Sequence, residues 1–168
     1  VYLRRDVAEI TSNFDSVQFC LSKGLGAPVG SMIVGSKDFI ERCRVIRKML
    51  GGGMRQVGVL AGAGLVALEE GPKLLAEDHD SAQLLAQGLA RIPGIQIDPT
   101  KVQTNIVIFD IGGTRFSAAQ LVKKLDQRKV LTGAVDGTRI RMVTHRDVSR
   151  ADCEQAVRII SEVVGAGY

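Results

Sequence analysis

The stretch Cys20-Leu21-Ser22-Lys23-Gly24-Leu25-Gly26-Ala27-Pro28-Val29-Gly30-Ser31 places a lysine where an apolar strand runs out into a loop of glycines and a proline. Lysine is ordinarily a surface residue because its ammonium is costly to desolvate, so one fixed at so constrained a point needs a reason. Upstream, Val17, Phe19 and Leu21 alternate with Ser16, Gln18 and Cys20, which predicts a short strand with one apolar face. Downstream, Pro28 to Gly35 is an almost unbroken apolar run of the kind expected of a strand buried on both faces, pairing with the first. An amine held in a partly apolar pocket loses some of its preference for the charged state and can act as a nucleophile that forms a Schiff base. The same lysine could instead extend to solvent from a strand end, and spacing alone leaves both readings open. A phosphate-cradling loop is a third and weaker reading, because the stretch lacks the G-x-x-x-x-G-K-[ST] spacing of the P-loop.

Working outward, Ser36 is placed to cap a helix from Lys37 to about Leu50, ended by Gly51-Gly52-Gly53. Met54 to Glu70 has helical length and period but carries Gly58, Gly62 and Gly64, which predicts a buried helix in close backbone contact with another element. Gly71-Pro72 should break it, with a second, amphipathic helix over residues 73–92. Beyond Gly94 short strands alternate with helices: Thr104 to Ile111, a helix over 116–129, two strands within 130–145, and a closing helix capped by Ser149. The fold class is α/β. Residues 1–75 read as the end of a larger domain and residues 76–168 as a small α+β domain. The chain opens at Val1 without methionine, inside sequence that looks ordered, as a piece of a longer protein would.

Composition narrows the function classes. The 168 residues are 45% hydrophobic and 24% charged, with a net charge of +4, which describes a globular chain with a real core. Cys20, Cys43 and Cys153 are far apart and odd in number, so neither a disulfide framework nor a zinc site is expected, and a reducing, cytoplasmic location is. No apolar run approaches the roughly 20 residues of a membrane span. The basic segment from Lys37 to Lys48 reads as a solvated face; neither nucleic acid nor membrane is expected as a partner.

Four segments, "SVQFCLSKGLGAPVGSMIVG" (16–35), "RKMLGGGMRQVGVLAGAGLVAL" (47–68), "EDHDSAQLLAQGL" (77–89) and "IRMVTHRDVSR" (140–150), together resemble the low-specificity L-threonine aldolases, pyridoxal-phosphate enzymes of fold type I. The resemblance runs over nearly the whole chain. It implies the end of the large cofactor domain followed by the small C-terminal domain, pyridoxal 5'-phosphate as cofactor, a small amino acid as substrate, and a homotetramer. It also implies that Lys23 carries the cofactor covalently and that Arg141 holds the substrate carboxylate. Arg139 and Arg141 lie two apart on one strand and share a face, so spacing does not choose between them. Lys48 and Arg55, flanking the triple glycine, are implied to lie near the cofactor, and Ser22 is a candidate donor to its phosphate. His79 reads as a surface or interface residue and His145 as a loop hydrogen-bonding one. The family's aspartate for the pyridine nitrogen would precede Val1, so the chain by itself is expected to be inactive. Other readings are a different fold type I activity, such as a serine hydroxymethyltransferase-like one, or a non-catalytic oligomerisation module.

Overall fold

The structure is a computed structural model that describes residues 1–166. The chain forms two compact units, Leu3–Leu75 and a second that begins at Ala76. In the first, α1 (Val7–Thr11) starts at Asp6, whose carboxylate accepts from the Ala8 N–H. Strands β1 (Ser16–Cys20) and β2 (Ser31–Gly35) form an antiparallel ribbon in the register Ser16 to Gly35 and Cys20 to Ser31. Helix α2 (Lys37–Met49) follows at once, with the Ser36 hydroxyl accepting from the Phe39 N–H. Its C-terminal turn closes through the Gly52 N–H on the Arg47 carbonyl at 2.8 Å, with Gly51 in the left-handed region that suits glycine.

The β2 segment departs from expectation. Its apolar residues are exposed along the whole strand rather than buried on both faces. Apolar content announces that a strand forms but not which of its faces are covered within the same chain. The ribbon's buried side is carried instead by Leu21 and Ala27, packed with Ala67.

The expected break at Gly71-Pro72 is absent. One helix, α3, runs from Gly58 to Leu89 with Pro72 inside it. Proline lacks one N–H and crowds the preceding turn, at about 3 kcal/mol relative to alanine, yet the 32-residue ladder on either side carries the helix through. The expectation of a buried glycine-rich stretch holds on one side only. Gly64, Ala67 and Gly71 are buried, while Val59, Leu65 and Val66 are exposed. A side chain at Gly58 or Gly62 would meet nothing within 4 Å, so these two glycines serve no close approach among the described residues.

The second unit is built on a three-stranded antiparallel sheet in the order β3-β5-β4, with β3 Ile106–Asp110, β4 Gly133–Ala134 and β5 Arg139–Val143. Alternation sends Val107, Phe109, Ile140 and Met142 into the core and leaves Ile106, Ile108, Arg141 and Val143 on the open face. Helices α4 (Ala118–Gln127) and α5 (Arg150–Gly165) pack their apolar stripes, Leu121 and Leu125 with Ile159 and Ile160, into that core together with Leu85 and Leu89 of α3. Burying each such side chain stabilises the fold by roughly 1.5–3 kcal/mol. Both helices begin with reciprocal caps, Ser117 with Gln120 and Ser149 with Asp152.

Candidate active site

Lys23 sits where β1 ends. The Leu21 and Ser22 N–H groups both donate to the Gly30 carbonyl, at 2.9 and 3.3 Å, and the Ala27 N–H returns to the Leu21 carbonyl at 3.0 Å. Between these anchors the Gly26 N–H donates to the Lys23 carbonyl at 2.8 Å, closing a tight turn at whose end Gly26 takes φ +80°. The loop is therefore fixed through its main chain, while the Ser22 and Lys23 side chains are exposed. A second restraint comes from α3. An ideal Cβ on Gly71 would lie 2.7 Å from the Leu25 carbonyl oxygen and 2.8 Å from its Cα, so only glycine lets the helix backbone approach the lysine loop this closely.

Cys20 is the cross-strand partner of Ser31, whose hydroxyl donates to Sγ at 3.5 Å. That hydrogen bond holds the Cys20 thiol below the ordinary cysteine range against the opposing effect of burial, and the neighbouring Lys23 ammonium pulls it further down. Sequence reasoning singled out the lysine and missed this thiol. The signal was available, since a cysteine three residues before the lysine ends the strand that presents it.

Lys48 and Arg55 lie on either side of the triple glycine and are exposed. The Lys48 side chain folds over Gly53, where an ideal Cβ would meet its Cδ at 2.6 Å and its Nζ at 3.1 Å. Arg55 precedes Gln56, which takes φ +51° in the turn before α3. No ion pair engages either cation among the described residues. The structure thus groups Ser22 with Lys23 and Lys48 with the hinge glycines, and no hydrogen bond joins the two groups.

In the second unit the two strand arginines separate. Arg139 is held by Asp136, Nε to Oδ2 at 2.7 Å, at the turn into β5. Arg141, on the same open face, has no ion-pair or hydrogen-bond partner among the described residues. Its surroundings are a concavity of about 800 Å³ with mostly apolar walls. His145, exposed at the end of β5, lies with Nδ1 3.6 Å from an Asp147 carboxylate oxygen and accepts there from the Asp147 N–H at 3.4 Å, the loop role its position suggested. His79 is half-buried on α3.

Beneath the strand end is a buried polar knot that the sequence did not reveal. The Thr144 hydroxyl donates to the Asp78 main-chain carbonyl at 2.6 Å, and Asn105 brackets Thr144 through its main-chain carbonyl and its side-chain amide. Asp78 is only 4% exposed, and its Oδ2 has no hydrogen-bond partner. Burial pushes its carboxyl above the ordinary aspartate range, opposed by His145, His79 and Arg146 and reinforced by Glu77.

Solved structures of similar shape give the class. The chain superposes with a TM-score of 0.77 on a candidate L-allo-threonine aldolase from Listeria monocytogenes, at 17% identity over 96% of this chain and 48% of that one. It superposes with 0.68 on an 8-amino-7-oxononanoate synthase from Francisella tularensis, at 17% identity over 94% and 48%. The fold is that of the fold type I pyridoxal-phosphate enzymes. The family model described as beta-eliminating lyase matches residues 1–111, and the chain belongs to this family. Among curated relatives it is 48% identical to low-specificity L-threonine aldolase 1 of Arabidopsis thaliana, over 87% of this chain and 41% of the relative. It is 44% identical to the low specificity L-threonine aldolase of Escherichia coli strain K12, over 86% and 41%. The chain thus spans about two fifths of the length of the curated relatives it matches.

Proposed function

We propose that this chain is part of a pyridoxal-phosphate-dependent aldolase that cleaves L-threonine or L-allo-threonine between Cα and Cβ to give glycine and acetaldehyde. The observation that carries the proposal is Lys23: an exposed amine on a loop whose main chain is pinned by Gly30, by its own turn and by the close approach of Gly71. The likeness to the named aldolases of Arabidopsis thaliana and Escherichia coli supports this reaction.

The donor set suits the cofactor: a primary amine for its aldehyde, and the Ser22 hydroxyl with the Lys48 and Arg55 cations for its phosphate. When bound, the cofactor supplies an electron sink for the pair released as the Cα–Cβ bond breaks. Lys23 offers Nζ as the nucleophile that holds it in place. Arg141 offers a planar pair of N–H donors to the substrate carboxylate, and so fixes how the amino acid is turned. Arg141 is the better candidate than Arg139 because its guanidinium is uncommitted, whereas Asp136 already occupies Arg139. Over the reaction the substrate's β-hydroxyl loses a proton and Cα gains one, so atoms balance without a further reactant.

We place the whole protein in the cytoplasm as a homotetramer. This chain's Cys20, Cys43 and Cys153 are free, and the exposed Val59, Leu65 and Val66 on α3 are suited to a subunit contact. No helix among the described residues is long and apolar enough to cross a membrane.

The test is borohydride reduction of the whole protein after incubation with pyridoxal phosphate, followed by peptide mapping. Label on Lys23, absent after Lys23→Ala, is the expected result; label on another lysine only would overturn the assignment. Light scattering on the same sample reports the subunit number.

A further inference from the structure

The open face of the β3-β5-β4 sheet treats the two sides of Arg141 unequally. Residues paired directly across adjacent strands stand side by side on the same face, about 5 Å apart. Arg141 pairs with Ile108 on β3 and with Gly133 on β4. On the β3 side the guanidinium stem therefore has a branched aliphatic neighbour. On the β4 side it has no side chain beside it at all. Gly133 does not occupy the left-handed region, and a Cβ built on it meets nothing within 4 Å, so neither backbone conformation nor packing among the described residues demands glycine there. Leu131 and Val135, both exposed, stand before and after this gap, which opens into the concavity holding Arg141.

A glycine that neither turn geometry nor close packing among the described residues requires, placed directly beside an uncommitted arginine, leaves room for a ligand. A carboxylate received by the guanidinium fork carries its next carbon outward from the fork, and any branch on the following carbon spreads sideways over the sheet. One sideways lane is filled by Ile108; the other is the gap over Gly133. We infer that Gly133 is the specificity-determining position of the Arg141 site, admitting carboxylates whose β-carbon is branched, as that of threonine is. This rests on the reading of Arg141 as the carboxylate-holding residue. Filling the gap would discriminate by shape: glycine, with no β-carbon, would still bind, and branched amino acids would not.

The experiment uses the whole protein with its cofactor bound and two ligands that the reaction cannot cleave, glycine and L-valine, the latter having the branched outline of threonine without its hydroxyl. Phenylglyoxal modifies accessible arginines, and the rate at Arg141 is followed by peptide mass spectrometry with increasing amounts of each amino acid. In the parent both should protect Arg141. In Gly133→Val, protection by L-valine should weaken by about tenfold or more while protection by glycine stays within about twofold, with Gly133→Ala in between. The melting temperature of each variant beside the parent's checks that the fold is kept, since the added atoms meet no group within 4 Å among the described residues. Equal weakening for both ligands, or none for either, would overturn the role of Gly133 while leaving that of Arg141 intact. If neither ligand protects Arg141 in the parent, the carboxylate role itself fails, and the inference falls with it.

Discussion

Replacing Gly71 by alanine sets two effects of known sign against each other. Alanine in a helix interior is favoured over glycine by about 1 kcal/mol, because glycine gives up more backbone freedom on folding. At Gly71, however, the new methyl would stand 2.7 Å from the Leu25 carbonyl oxygen and 2.8 Å from its Cα, against the 3.4 Å at which ordinary contact begins. The loop must then retreat by about 0.7 Å, and these are backbone atoms that cannot rotate aside. Overpacking of this kind costs about 1–3 kcal/mol, so the balance is a loss of up to about 2 kcal/mol, or several degrees in melting temperature. Gly62→Ala on the same helix is the control: its methyl meets nothing within 4 Å, leaving only the propensity gain, and stability should rise by up to about 1 kcal/mol. Thermal and urea unfolding of the two variants beside the parent reads the signs directly. The retreat also shifts the turn that carries Lys23, so labelling of Lys23 by pyridoxal phosphate and borohydride should fall in Gly71→Ala and stay unchanged in Gly62→Ala. Should both alanines stabilise equally, the lysine loop is not seated on α3 at this point.

Two further outcomes concern titrating groups. Iodoacetamide should alkylate Cys20 well before Cys153, whose thiol is 1% exposed and pushed up by burial, and Ser31→Ala should slow the Cys20 reaction near neutral pH by removing the hydroxyl that holds its thiol down; equal rates in parent and variant would dismiss that hydrogen bond. Asp78 has its carboxyl raised in the folded state, so its contribution to stability is fully present below the unfolded-state value near 4 and is lost as pH rises through the folded value. Asp78→Asn removes that loss, and its stability relative to the parent should therefore improve between acid and neutral pH; a constant difference across that range would show that burial does not perturb this carboxylate.

How much of this was legible in sequence depends on the range of the interaction concerned. Ser36 and Ser149 marked helix starts correctly because a cap is a bond to a residue three positions on, wholly contained in local sequence. Pro72 misled for the complementary reason: its penalty is local, whereas the ladder that outweighs it extends through 32 residues. The exposure of β2 was illegible because periodicity reports which residues share a face and is silent about what lies against it. At the site, the lysine in its glycine loop was conspicuous, whereas spacing left Arg139 and Arg141 equivalent and only the resemblance chose Arg141; the structure adds that Asp136 pairs with Arg139. Gly133 and Asp78 carried no signal, because their significance lies in a cross-strand neighbour and in a bond from a threonine 66 residues away.

That bond bears on how Arg141 can respond to a ligand. With Thr144 tethered to the carbonyl of Asp78 and bracketed by Asn105, the end of β5 is anchored three residues beyond the arginine, and the ladder to β3 anchors it on the other side. The Cα of Arg141 is thus a fixed pivot. If Arg141 holds the substrate carboxylate as proposed, adaptation to substrates of different size falls to the rotatable bonds of one side chain, whose full immobilisation costs about 2 kcal/mol. Tolerance of varied amino acids would on this view be a matter of rotamer freedom above a rigid floor, with no movement of the sheet required.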